Sequence, residues 1–517
     1  MRPNTAARSS TWRLQAVLFC FVFSALGVVS RANPNTGDAS LMCAAADSIV
    51  SRGHLDVAPV RPDVLRGREG KYYVKYPLLD VLQCLPAVAL RNLARRYWPD
   101  DDGLAGFALG VPPHIVTSVL ALGLFQLALE LEVSIPVALG FALLVVFTTP
   151  ILPAGRSLYG ETAQAALLVW AMVAALRARD ARARGASLSA GAIAGLAVNA
   201  KILLAILPLA ILVDQLHERW DRARWRSAGV FCIGVLPGAL AWLGYNYFRY
   251  ENPFAQGYGA GRDTSIGFGV PLASGLYGLL FSSGKSVFLY SPLLLASLLG
   301  LPRMLRARRR DVWLLGIPTL AIVFVGAKWW CWHGDWAWGP RLVLPVVPLA
   351  CVPALWVLRR RGTPRALVLA LGTAGLYVQM LAVLVAPGQF FIASSAANAT
   401  VIGHAKNAHA LRDDLLALHF IPELNPIVGQ QWLLGRYLDR RPWTKDSYYP
   451  WRSLGIEAWR PRRDPTPAAL DLWISHPSPI VIGLALALSA ITLALGARLL
   501  VFARRNAHMM LDAAGGA

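Results

Sequence analysis

The residue best placed to do chemistry is Asp38, in Asn33-Pro-Asn-Thr-Gly-Asp38-Ala-Ser, just beyond the first apolar stretch. A carboxylate there can take a proton from a hydroxyl or hold a polar group of a substrate. Taken alone, Asp38 or Ser40 reads equally well as the N-cap of an amphipathic helix over 40–52. The loop that follows leaves through Lys71-Tyr-Tyr-Val-Lys75-Tyr76-Pro77, which adds cations and phenols. A second turn supplies Arg156, Tyr159 and Glu161, where a carboxylate opening an apolar helix also suits the helix dipole. A third segment runs Tyr245-Asn246-Tyr-Phe-Arg249-Tyr-Glu-Asn-Pro, continues through Gly257-Tyr258, and ends in Ser282-Ser283-Gly284-Lys285-Ser286. Its Asn, Arg and Lys can hold phosphate or hydroxyls, or form an aromatic interface belt with snorkelling cations.

The fourth segment is Lys328-Trp-Trp-Cys-Trp332-His333-Gly-Asp335-Trp-Ala-Trp338-Gly-Pro-Arg341. An interface belt explains two or three tryptophans, but not Lys, His, Asp and Arg packed among five of them. Indoles offer flat platforms for sugar rings, and Asp335 and His333 can bind hydroxyls or a metal. Arg341 at a helix start suits an anionic phosphate.

The elements that must carry these residues are membrane helices. Of 517 residues, 56% are hydrophobic and 15% charged, with mean hydropathy +0.47. Runs such as 188–213 and 479–501 are long enough to cross ~30 Å of hydrocarbon, so the lipid bilayer is the first partner. The net charge of +21 would suit a nucleic-acid partner, but the arginines fall in short runs between apolar stretches. That is the positive-inside pattern, so no nucleic acid is expected. Among the six cysteines there is no metal-type spacing. Cys20, Cys232 and Cys351 read as packing residues, whereas Cys43 and Cys84 share the first loop and could pair.

Arginine runs at 177–184, 219–226, 303–310, 359–365 and 504–505, with Arg2, Arg8 and Arg13, mark the inner side. The first span, about 13–31, reads as an uncleaved signal anchor, because Arg31 is a poor neighbour for a cleavage site. It puts Asp38 outside. Four apolar stretches then precede the inner run at 177–184, although an odd number of crossings is required. The stretch 76–94, interrupted by Asp80, Gln83, Pro86 and Arg91, is read as interfacial. The first outer loop then spans about 32–104. Residues 188–214 must enter and leave, as two short helices broken near Asn199-Ala-Lys201. The expected fold is an all-α polytopic membrane protein of about twelve transmembrane helices. Residues 1–387 form the catalytic domain, 388–478 an outer cap, and 479–517 the last helix and tail. A bacterial inner (plasma) membrane is expected, with both termini cytoplasmic.

In order, these motifs resemble the GT-C superfamily of integral-membrane glycosyltransferases. The likeness is to the lipid-carrier-dependent branch related to protein O-mannosyltransferases and aminoarabinose transferases. It rests on Asp38, Lys71–Pro77, Tyr159 with Glu161, the Asn246–Pro253 block with Gly257-Tyr258, and Trp338-Gly-Pro-Arg341. It covers most of residues 10–360. Ala39 and Ser40 stand where the family often has a second acid or an aromatic.

The resemblance implies a polyprenyl-phosphate sugar donor, with Asp38 as base toward an acceptor hydroxyl. Lys75, Arg156, Arg249, Lys285 and Arg341 are the candidate cations for the departing phosphate. Tyr76, Tyr159, Glu161, Asn246, Tyr258, Trp332, His333, Asp335 and Trp338 are candidate substrate contacts. One base and an activated donor imply inversion. Asp38, Glu161, His333 and Asp335 are metal-ligating types, but a lipid-monophosphate donor requires no metal, and no cofactor is expected. A polysaccharide polymerase or ligase would share such a site. A lipid or sugar flippase would instead place acids at mid-membrane.

Overall fold

The computed structural model describes residues 11–31, 37–59, 64–180, 183–217, 221–257, 267–334, 337–387, 390, 419–439 and 478–515. Helix α1 (Trp12–Val28) is followed by α2 (Gly37–Arg52). The latter starts earlier than the expected 40–52. Asp38 therefore lies in its first turn, with its side chain turned to other segments of the chain.

A hairpin follows, the one addition to a helical chain among the described residues. Strand β1 (Val64–Arg66) pairs antiparallel with β2 (Tyr72–Val74), Leu65 facing Tyr73. Its connection takes the left-handed conformation at Glu69 (φ 56) and Gly70 (φ 71). Strands of three residues are too short to show a period-2 pattern.

The stretch expected to be interfacial folds as two pieces, α3 (Leu78–Leu82) and α4 (Cys84–Tyr97). Neither is long and apolar enough to cross a membrane. Helix α4 buries Cys84, Ala87, Val88 and Ala94 and exposes Leu90, Leu93 and Tyr97 with Arg95 and Arg96. That mixture of exposed apolar and basic groups suits the boundary between headgroups and chains.

Helix α5 (Asp102–Glu130) is capped by Asp101, whose carboxylate accepts from Leu104 N at 2.8 Å. The core then continues through α6 (Ile135–Thr148), α7 (Gly160–Ala178), α8 (Arg184–Val198), α9 (Ile206–Leu216) and α10 (Arg222–Tyr250). It is completed by α11 (Leu272–Phe281), α12 (Leu293–Lys328), α13 (Arg341–Leu358, part 3-10) and α14 (Thr363–Leu384). Arg308 interrupts α12 with non-helical angles, within the expected inner arginine run. Helix α15 (Pro426–Asp439) follows, and α16 (Pro479–Gly515) returns to pack on α1.

Among the described residues, six helices are long and apolar enough to span a membrane, and others are shorter apolar helices. The twelve expected spans are thus not matched by twelve full-length helices. The chain breaks several of them, as at Lys201, where α8 ends and a 3-10 turn (Ile202–Ala205) leads into α9. Most of the expected cap at 388–478 lies outside the described residues.

Helices α8 and α10 touch backbone to backbone. A Cβ on Gly191 would come within 2.1 Å of Phe231 O, and one on Gly195 within 2.5 Å of Val235 O. From the other side, a Cβ on Gly234 would meet Leu188 O at 2.5 Å and one on Gly238 the Gly195 carbonyl carbon at 2.2 Å. Both helices thus carry glycines four apart at the crossing, the small-residue device of packed membrane helices. Asn199 finishes the contact by donating to Gly238 O at 2.8 Å.

Candidate active site

Three stretches far apart in the chain meet on one guanidinium. Arg341 Nη2 lies 2.6 Å from Asp38 Oδ2, and Arg341 Nε donates to Glu161 Oε1 at 2.7 Å. Its guanidinium also covers the Tyr159 ring, 4.4 Å from the centroid. The Tyr76 hydroxyl donates to the second Asp38 oxygen at 2.8 Å. Burial pushes the Asp38 carboxyl upward, but the Arg341 charge, hydrogen bonds from Arg341 and Tyr76, and nearby Lys75 outweigh it. The net result lies below the usual carboxylate value.

A cavity of about 420 Å³ opens beside this group. Asp38, Arg156, Tyr159, Glu161, Trp338 and Arg341 line it, together with Arg31. Arg156 is buried, donating to the carbonyls of Val29 and Val383, while its Nη2 has no hydrogen-bond partner among the described residues. Glu161 Oε2 is likewise buried without one. The space between the Asp38 and Glu161 carboxylates is taken by a guanidinium, and the described residues gather no group of three metal-ligating side chains.

Other candidates stand one layer back. Arg249 Nη1 donates to the carbonyls of Val74 (2.6 Å) and Tyr76 (3.1 Å), while Nη2 donates to Asn246 Oδ1 at 2.8 Å. Its guanidinium stacks on Tyr245 at 3.8 Å. A Cβ on Gly67 would meet Arg249 O at 2.1 Å, so only glycine admits this approach to the hairpin. Arg249 and Asn246 therefore clamp the strand that presents Lys75 and Tyr76.

Lys285 Nζ is buried and donates to the carbonyls of Ala337 (2.6 Å) and Gly339 (3.2 Å), which fixes the turn into Arg341. Trp338 Nε1 donates to Gln379 Oε1 at 3.2 Å, and its ring meets Tyr290 edge-on. Trp332 and His333 pack with each other and with His419, and neither is among the residues that line the cavity. Tyr258 and Asp335 lie outside the described residues, as do His404 and His409.

Three participants are not candidates from the sequence. Asp80 in α3 is buried against the start of α7, where a Cβ on Gly160 would fall 2.3 Å from its Oδ1. Burial, then the Glu161 charge, raise its carboxyl well above the usual value. Lys201, at the helix break, adds a cation that interacts electrostatically with Glu161 and Asp80. Asn199 O accepts from Leu79 N at 2.9 Å and ties that break to α3. The available signals are an acid inside an apolar stretch and a lysine beside a broken helix. Arg31, which in the sequence bears only on cleavage of the first span, is the third.

No family model and no curated protein matches this chain. Among solved structures, it is similar to ArnT from Cupriavidus metallidurans bound to undecaprenyl phosphate. The identity is 15% and the TM-score 0.44, covering 94% of this chain and 77% of that one. It is also similar to the apo oligosaccharyltransferase from Archaeoglobus fulgidus, at 14% identity and TM-score 0.43, over 90% of this chain and 64% of that one. A third is the Archaeoglobus fulgidus oligosaccharyltransferase AglB with an inhibitory peptide and a dolichol-phosphate, at 13% identity and TM-score 0.41, over 89% and 61%.

Proposed function

We propose that this protein transfers a sugar from a polyprenyl-phosphate carrier to an acceptor hydroxyl at the outer face of a bacterial inner membrane, with inversion. The observation that carries this reading is the cavity itself. It brings Asp38 into one space with Arg31, Arg156 and Arg341, an excess of arginine over the two carboxylates. Fixed cations facing a departing phosphate stabilise the charge that grows as its bond to the sugar breaks.

In this reaction the bond from the anomeric carbon to the phosphate oxygen breaks, and the acceptor oxygen bonds to the opposite face of that carbon. The acceptor proton passes to Asp38 and then to water. A carboxyl held below its usual value is a weak base. It takes the proton late, once the acceptor oxygen has begun to bond, which suits an activated donor. Before the donor docks, Tyr76 and Arg341 orient its two oxygens. Arg156, with its unpartnered Nη2, and Lys75 are further cations for the phosphate. Arg249 and Lys285 act by holding the strand and turn that carry Tyr76 and Arg341. A polysaccharide polymerase or ligase differs from this reading only in its acceptor, so the product identifies it.

The test is release of polyprenyl phosphate by the protein in nanodiscs, across a panel of polyprenyl-phosphate sugars and hydroxyl acceptors. Wild type should turn over at least one donor. Asp38→Asn should lose about 10²–10⁴-fold in turnover while melting as wild type does. Undiminished turnover by Asp38→Asn removes the base assignment, and failure of wild type on every donor removes the function.

A further inference from the structure

The first loop holds two cysteines that the proposed reaction does not use. Cys43 lies on α2 and Cys84 at the start of α4, and in space their thiols hydrogen-bond to each other. Roughly 40 residues of chain separate them, a loop that a cross-link would constrain strongly in the unfolded state. Both are thiols in the structure, and both are buried in the same small apolar core of the loop, with Val57, Val74 and Val88. The two helices are also held together further along, where Arg91 Nη2 donates to Asp47 Oδ1 at 2.7 Å. Two thiols facing each other across packed helices are the arrangement from which a sulfur–sulfur bond of about 2 Å can close.

We propose that Cys43 and Cys84 form a disulfide in the mature protein, a modification that staples α2, the helix carrying Asp38, to α4. The proposal rests on the outer placement of the first loop in the function proposed above, because disulfides persist in oxidising compartments. The oxidant is a dithiol–disulfide carrier protein of that compartment, acting while the loop folds. The Cys43 thiolate attacks the carrier disulfide and releases one carrier thiol. The Cys84 thiolate then attacks the Cys43 sulfur and releases the second. Two electrons pass to the carrier, and the protons of the two cysteine thiols end on its thiols.

The experiment counts thiols on the full-length protein. Membranes are quenched in acid, and the denatured protein is labelled with a maleimide before and after reduction. Four of the six cysteines should label before reduction and all six after, with Cys43 and Cys84 in one bridged peptide. Reduction of wild type should lower its melting temperature by several degrees, while the Cys43→Ala/Cys84→Ala variant should melt low with or without reductant. Six labelled thiols before reduction overturn the bond. A second reading comes from Trp98→Cys in that double variant, probed with a membrane-impermeant maleimide. Labelling from outside with six free thiols in wild type means that the bond alone fails, whereas protection means that the outer placement fails as well.

Discussion

Asp38 and Asp80 lie in the same loop and feel the same arginine, yet their surroundings drive them in opposite directions. Asp38 is gripped by Arg341 and Tyr76 and stays ionised. Asp80 is sealed against Gly160 with Glu161 nearby, so its protonated form is favoured. In the unfolded chain Asp80 ionises above about pH 3.9. Its contribution to stability is therefore full below that pH and is lost as pH rises through the raised folded-state value. Asp80→Asn mimics the protonated acid, so it should keep fold and turnover near wild type and flatten that loss. Thermal melts across the neutral range check this, and an unchanged pH slope in the variant would refute it. Asp38, Glu161 and Arg341 are legible in the sequence because each is a charged residue at the edge of an apolar span. Asp80 is legible only as an interruption, since no sequence pattern shows that a glycine from the next motif will close over it.

Among the elements, the α8–α10 crossing braces the site from behind. The glycine pairs bring two backbones into contact, Asn199 bridges them, and its carbonyl holds α3 beneath Glu161. Gly191→Leu should cost about 1–3 kcal/mol by overpacking, and it should also lower turnover by shifting Asn199 and Lys201. Melting and donor turnover measured together test this; a variant matching wild type in both would show that the crossing is not a constraint. The spacing of four is visible in both helices, although nothing in the sequence says that the two will face each other. Crossing parity does single out 76–94 as the stretch that need not span, because charge runs record sidedness, and neither α3 nor α4 is long and apolar enough to cross a membrane. It counts helices poorly, because a broken span and a full one balance the same charges.

At the scale of the whole molecule, arginine–carboxylate groups tie the chain at two ends. In the arginine-rich runs, Arg179 pairs with Asp214 at 3.0 Å and with Asp311, and Arg310 pairs with Asp214 at 2.8 Å, joining α9 and α12 to the end of α7. These partners are closed pairs, whereas Arg341 holds its two carboxylates beside an open cavity. Under the proposed function, that difference sets a compulsory sequence of events. While Arg341 grips Asp38, the base is occupied; a donor phosphate competes for the same guanidinium and frees the carboxylate as it docks. With acceptor alone the carboxylate stays occupied, so the acceptor gains its hydrogen bond to Asp38, and with it a productive seat, only after the lipid-linked sugar has arrived. Initial-rate kinetics should show ordered addition, donor first, and a random-order pattern would argue against it.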